Sequence, residues 1–300
     1  MKKSVSLIIV VLLCVYTYAQ TLSPFVRVGS TQLSMEQTIV KINALLKKGG
    51  FELLGNYNPC NRKAYKVIVF TRKDIKNTVV NVSDRGALAA AFKIGLVQND
   101  TSIVVSYTNP EYILRAYLGN DFEKNVKLFD KFNKDLKDNL RVFGKDFIPF
   151  GGNVPIESLA DYRYRITMPR FSDPIELADY NNFYTMYNYI IKNLHTNDYG
   201  AKLIYKIVYP DKKIAVIGIA LLGEWTESEA YFLDKIGAQN LAALPYEIIL
   251  QDHKVTMLHG KYRFALFWPD LSLGSFMKIM STPRHIKKTF KKITDSPEGL

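Results

Sequence analysis

Few residues of this chain are of the types that do chemistry, and they are widely spaced. Histidines stand at 195, 253, 259 and 285, and the cysteines are Cys14 and Cys60. Metal sites need several His, Cys or carboxylate ligands converging at compatible spacings. No pair here has the spacing of a zinc site, so no metal is expected, and His253 and His259 read as solvated residues in or beside turns. The chain carries no G-x-S-x-G elbow to expose a serine nucleophile, and neither G-x-G-x-x-G nor a P-loop to cradle phosphate. No cofactor is implied. Because catalytic triads assemble from distant positions, a periplasmic enzyme of unfamiliar mechanism stays open as the alternative to a binding protein.

The densest set of hydrogen-bonding groups is Ser106-Tyr107-Thr108-Asn109-Pro110-Glu111-Tyr112. Ser106, Tyr107, Asn109, Glu111 and Tyr112 are the candidate ligand-binding residues, set against the plainer reading of a turn in which Thr108 and Asn109 satisfy their own backbone. Glu224, Glu227 and Glu229 flank Trp225. Paired carboxylates catalyse only at particular separations in space. Acids at the positive end of a helix are the expected reading.

The N-terminus sets the compartment. Lys2 and Lys3 precede an uncharged run from Val5 to Tyr18 that ends in Thr17-Tyr18-Ala19, the pattern of a cleaved secretory leader over residues 1–19. Export to the periplasm or beyond is therefore expected, with Gln20 as the first mature residue. Cys60 is then the single cysteine, which leaves no intramolecular disulfide even where one is permitted. Cations near Cys60 would favour a reactive thiolate; a tolerated small side chain is the simpler expectation.

The formal charge is +12, of which the two leader lysines carry two. Residues 41–93 hold 11 Lys/Arg against three acids, and Arg284, Lys287, Lys288, Lys291 and Lys292 cluster at the C-terminus. Charge alone would suit nucleic acid, but export argues against that partner. The tail, with Phe276, Met277, Met280, Ile286, Phe290 and Ile293 among its cations, is instead expected either to face an anionic envelope surface or to dock on its own domain with its lysines in water.

Hydrophobic periodicity places the elements. A capping box from Ser34 to Gln37 opens a helix that stops at Gly49-Gly50. Strands are expected over 51–55, 66–71 and 78–82, with another in the stretch from Thr101 that runs into Pro110, and an alanine-rich helix over 86–96. Apolar residues at alternating three and four spacing predict a long helix from Asp121 to Phe143. Pro149-Phe150-Gly151-Gly152 is the expected boundary between domains at 20–150 and 151–300. In the second half a strand is expected over 162–168, helices over 182–194 and 227–236, a hairpin over 202–221, and strands over 246–250, 255–258 and 262–267. Thr101–Gly119 and Lys261–Lys278 both read as a strand running into a proline corner, at Pro110 and Pro269, which suggests one unit used twice.

Met35 to Phe51 and Ala87 to Tyr112 (ALAAAFKIGLVQNDTSIVVSYTNPEY) resemble the domain of unknown function 302 family, small α/β domains with a helix packed on a curved sheet. Asp161–Pro174 and Leu244–Pro283 look like segments of its longer members; these stretches cover about a third to a half of the mature chain. The resemblance implies a fold and no reaction, cofactor or catalytic residue. This chain departs from the short members in its leader and its doubled layout. The expectation is an α+β protein of two related two-layer α/β sandwich domains, each a mainly antiparallel sheet with packed helices, that binds a small apolar or amphipathic ligand or an anionic envelope surface.

Overall fold

Residues 19–196, 199–224 and 226–295 are described by a computed structural model. Residues 1–18, where a leader is expected, and Trp225 lie outside the described residues. The first half runs β1 (Thr21–Leu22), β2 (Phe25–Thr31), α1 (Met35–Lys48), β3 (Glu52–Tyr57), β4 (Tyr65–Thr71), α2 (Lys73–Val79), β5 (Phe92–Gln98), β6 (Ile103–Thr108), α3 (Pro110–Leu118), α4 (Val126–Leu140) and β7 (Ile148–Phe150). The second runs β8 (Val154–Pro155), α5 (Ile156–Leu159), β9 (Ile175–Asp179), α6 (Phe183–Thr196), β10 (Ala201–Tyr209), β11 (Ile214–Leu221), α7 (Glu229–Ile236), β12 (Tyr246–Gln251), β13 (Lys254–Met257), α8 (Gly260–Phe267), α9 (Leu273–Ile279) and α10 (Thr282–Thr294). The fold is α+β, with every strand pairing antiparallel.

The two large sheets share one plan. The first has the order β3-β4-β5-β6-β2-β7 and the second β10-β11-β12-β13-β9. Apart from β7, each is a strand, a helix, a hairpin, a helical connection, a second hairpin and a closing helix, with the first strand returning to the edge beside the last. Edge strands β3 and β10 each carry a bulge at the matching place, between Leu53 and Gly55 and between Leu203 and Tyr205. These two edges meet. A Cβ on Gly55 would sit 2.2 Å from the Ile204 carbonyl oxygen, so only glycine permits this approach.

Local chemistry explains the elements. Gln37 N–H donates to the Ser34 hydroxyl at 3.2 Å and Ser34 N–H donates to the Gln37 side chain at 3.0 Å, which closes the cap of α1. The stripe of α4 buries Phe129, Phe132, Leu136 and Leu140. Phe132 reaches Phe92 at 4.7 Å between ring centres and Phe51 at 5.5 Å, tying α4 to the first sheet. In the second half Ile286, Phe290 and Ile293 of α10 are buried in the same manner, and Phe290 meets Tyr246 at 6.3 Å.

Four expected elements differ in the structure. Residues 86–96 are a short 3₁₀ turn, Gly86–Ala90, and then β5, because Phe92, Ile94 and Leu96 alternate onto one face of a strand flanked on both sides. Ladder pairing outweighs alanine's helix preference. Residues 78–82 give way to α2, whose Ile75 and Val79 stack one turn apart on the buried face. Residues 162–168 alternate but have no strand beside them: Tyr162 turns inward and gives its hydroxyl to the Ala265 carbonyl at 3.0 Å, while Tyr164 and Ile166 face outward. Residues 262–267 are α8, capped by His259 and buried nearly all round, at Tyr262, Arg263, Phe264, Leu266 and Phe267. A helix apolar on every side shows no stripe, so its aromatics pass for a strand.

The proline correspondence falls with α8. Pro110 is the first residue of α3, whereas Pro269 follows the end of α8. The position matching Pro110 is Gly260, which opens α8 directly after β13.

Candidate ligand-binding cleft

Three segments of the second half leave a cleft between them: the irregular stretch after Tyr162, helix α8, and the start of α9. Tyr162 fixes the first by its bond to Ala265. His259 fixes α8, accepting Lys261 N–H on Nδ1 at 3.2 Å; burial, then the nearby Lys261, lowers the pKa of this ring and keeps it neutral and able to accept. Ser272 caps α9 by accepting Ser275 N–H at 3.1 Å.

The cleft encloses about 100 Å³. Met168, Phe264, Trp268, Leu271, Leu273 and Phe276 supply its apolar wall, with Tyr164 and Ala265 between them, and Arg165 and Lys261 are its charged members. Trp268 is buried and its indole N–H has no acceptor among the described residues. Among the described residues its lining contains no carboxylate, histidine, cysteine or serine. Such a surface holds an apolar group by contact and an anion by its two cations.

The structure brings a different set of groups together at the seam between the halves. Glu229 is fully buried; it takes the Tyr57 hydroxyl at 2.8 Å and Leu221 N–H at 3.3 Å on Oε1, and Cys60 N–H at 3.4 Å on Oε2. Burial pushes its carboxyl up to about 7 against the lowering effect of those donors. Burial, then Glu229, also pushes the Cys60 thiol up to about 12, so the thiolate that neighbouring cations would favour does not form near neutrality. Cys60 adjoins a broader depression of about 440 Å³ with Ser228, Tyr231 and Asp234. That hollow is larger than the α8–α9 cleft but mixed in polarity, and the apolar lining decides in favour of the smaller one.

Sequence reasoning placed Glu229 at a helix start, which holds: Ser228 caps α7 by accepting Tyr231 N–H. What it missed is the direction of the side chain. Glu229, Phe232, Leu233 and Ile236 form one buried face of α7 at spacings of three and four, and a carboxylate on an apolar stripe was the available signal.

The five residues of the polar corner lie elsewhere. Ser106 donates to Gly95 O, Asn109 Nδ2 to Ser23 O at 2.9 Å, and Tyr112 to Leu266 O at 2.8 Å, all within buried surroundings. Tyr107 is buried with its hydroxyl unpartnered among the described residues, and Glu111 pairs with Arg115 at 3.0 Å. None of them lines the α8–α9 cleft. His253 is half exposed beside Asp179 at 2.5 Å, and no cluster of three metal-ligating side chains occurs among the described residues. No helix among them is long and apolar enough to cross a membrane.

No protein-family model and no curated protein matches this chain.

Proposed function

We propose that this protein is an exported ligand-binding module, built by duplication of one α+β unit, whose α8–α9 cleft takes a small apolar or amphipathic ligand. The lining carries the reading: six apolar side chains converge with two cations and, among the described residues, no carboxylate, histidine, cysteine or serine. A ring or acyl end in the cleft, with an anionic group against Arg165 and Lys261, is the occupant this chemistry recognises. The shared plan of the two sheets supports duplication of a unit of the kind seen in the domain of unknown function 302 family. The charged start, apolar run and Thr17-x-Ala19 pattern support export with Gln20 as the first mature residue. The rival, an enzyme, would draw on Glu229 and Cys60, but three donors of the protein itself already occupy the Glu229 oxygens.

The test is native mass spectrometry of protein purified from its own envelope, with titration of the aromatic anion 1-anilinonaphthalene-8-sulfonate. A retained small molecule, and probe binding abolished by Ala265→Phe in a normally folded protein, are the expected results. Absence of a retained molecule together with probe binding indifferent to Ala265→Phe rejects the cleft. Intact mass showing residues 1–19 on the exported protein rejects the leader.

A further inference from the structure

Exposed apolar side chains are not scattered evenly over this molecule. Among the described residues, five of the nine large hydrophobics that stand exposed belong to the mouth of the cleft and its continuation: Tyr164, Ile166, Leu273, Met277 and Met280. Leu273, Met277 and Met280 follow one another at spacings of four and three, so they share the outward side of α9 and the residue that ends it. Tyr164 and Leu273 line the same cleft, which puts the 164–166 segment beside that side of α9. Ile166 is 82% exposed and Leu273 64%, and with Tyr164, Met277 and Met280 beside them they make a contiguous apolar surface of the kind that marks interaction sites.

Charge says what it meets. Arg165, Lys261 and Lys278 are exposed around these residues, and Arg163 donates to the Ile166 carbonyl at 3.0 Å. No ion pair with a carboxylate engages any of these four among the described residues. Residues 162–172 contain no acid, and residues 260–282 contain only Asp270. An apolar centre with an unneutralised basic rim is complementary to the headgroup and acyl boundary of an anionic bilayer, where apolar side chains insert shallowly and each cation near the surface adds to binding. Methionine suits such a contact because its flexible side chain adapts to a disordered partner.

The basic tail is a weaker candidate for this contact. Ile286, Phe290 and Ile293, its apolar stripe, are spent on the protein's own core, so α10 offers an anionic surface charge and nothing to insert.

We propose that α9 and the 163–166 segment form a docking face for an anionic lipid bilayer, with Ile166, Leu273, Met277 and Met280 entering the interface and Arg163, Arg165, Lys261 and Lys278 against the lipid phosphates. It shares Arg165 and Lys261 with the ligand reading but does not require it, since Arg163, Ile166, Met277, Lys278 and Met280 lie outside the cleft lining. Its test is co-sedimentation of the mature chain with vesicles of phosphatidylcholine alone or mixed with phosphatidylglycerol, at low salt and at about 0.15 M. Binding to the mixed vesicles is expected, with weak binding to phosphatidylcholine. Met277→Glu with Met280→Glu should abolish it; these side chains are exposed, and an unchanged melting curve verifies the fold.

Neutralising Arg165, Lys261 and Lys278 to Gln together should weaken binding about a hundredfold, about fivefold for each cation. Ala265→Phe, which fills the cleft, should leave vesicle binding unchanged, so this proposal and the ligand reading fail separately. Equal binding to both vesicle types overturns the proposal. Binding that survives the Met277/Met280 change and is lost on neutralising the five tail cations overturns it in favour of α10. A dimer that the same change dissociates, with no vesicle binding, assigns the face to a second copy of the chain and overturns it as well.

Discussion

Lys93 Nζ lies 2.5 Å from Glu247 Oε1, and both side chains are buried. The two residues hold matching places, each the second position of the central strand, β5 or β12, that follows the helical connection of its half. The pair therefore links the two large sheets directly. Arg263 approaches the other oxygen of Glu247 at 3.8 Å, and the Tyr205 hydroxyl donates to Oε1 at 3.3 Å. Glu247 thus faces two buried cations, while Lys93 faces one carboxylate.

That imbalance gives unequal costs. Removing one partner of a buried pair strands the other charge and costs about 3–5 kcal/mol. Glu247→Leu should lie at the upper end, because it strands both Lys93 and Arg263. Lys93→Met should cost less, since Arg263 remains beside Glu247. The double change should recover part of the loss relative to Glu247→Leu alone. Urea unfolding of the four proteins measures this; equal costs for the two single changes would show that Arg263 does not share the carboxylate.

Glu229 makes stability depend on pH. With its carboxyl at about 7 in the folded protein against an ordinary 4.5, it binds its proton more tightly folded than unfolded. Below 4.5 both states are protonated and nothing is lost. As pH rises from there the unfolded chain ionises first, so stability falls, and the loss of about 3 kcal/mol is complete above about 7. Glu229→Gln keeps an acceptor for Tyr57 and removes the titration. The difference in unfolding free energy between the two proteins, followed from pH 4 to 8, should change by that amount; a flat difference would refute the buried titration.

Cys60 should be slow to alkylate. A thiol at about 12 is almost wholly protonated at pH 8, whereas an ordinary free thiol there is about a quarter thiolate. Iodoacetamide should react about a thousandfold more slowly with the folded protein than with the urea-unfolded chain, and Glu229→Gln should raise the folded rate. Equal rates in the folded and unfolded protein would place the thiol outside the influence of burial and Glu229.

The chain's own pattern determined those elements whose signal is local. The capping box of α1, the three-and-four stripe of α4, the β10–β11 hairpin and the helix at α6 depend on contacts within a turn or two of backbone, and each is legible from a single segment. The order helix, strands, helix, strands was read in both halves, and both sheets show it, though the prolines chosen to match the halves do not correspond. Tertiary structure decided the rest. Whether Phe92-Lys93-Ile94 is strand or helix depends on two neighbouring strands that the segment does not contain, and Tyr262–Phe267 conceals its helix because packing buries all its sides.

The same reason governs the sites. The polar corner at 106–112 looked available because its hydrogen-bond partners, Ser23, Gly95 and Leu266, are 11 to 154 residues away in the chain. The cleft was invisible because its lining combines residues from 164 to 276. Local spacing encodes what backbone and neighbouring side chains do to one another; which side chains remain exposed, which carboxylates are buried, and which thiol is silenced are properties of surfaces formed only when distant segments close on each other.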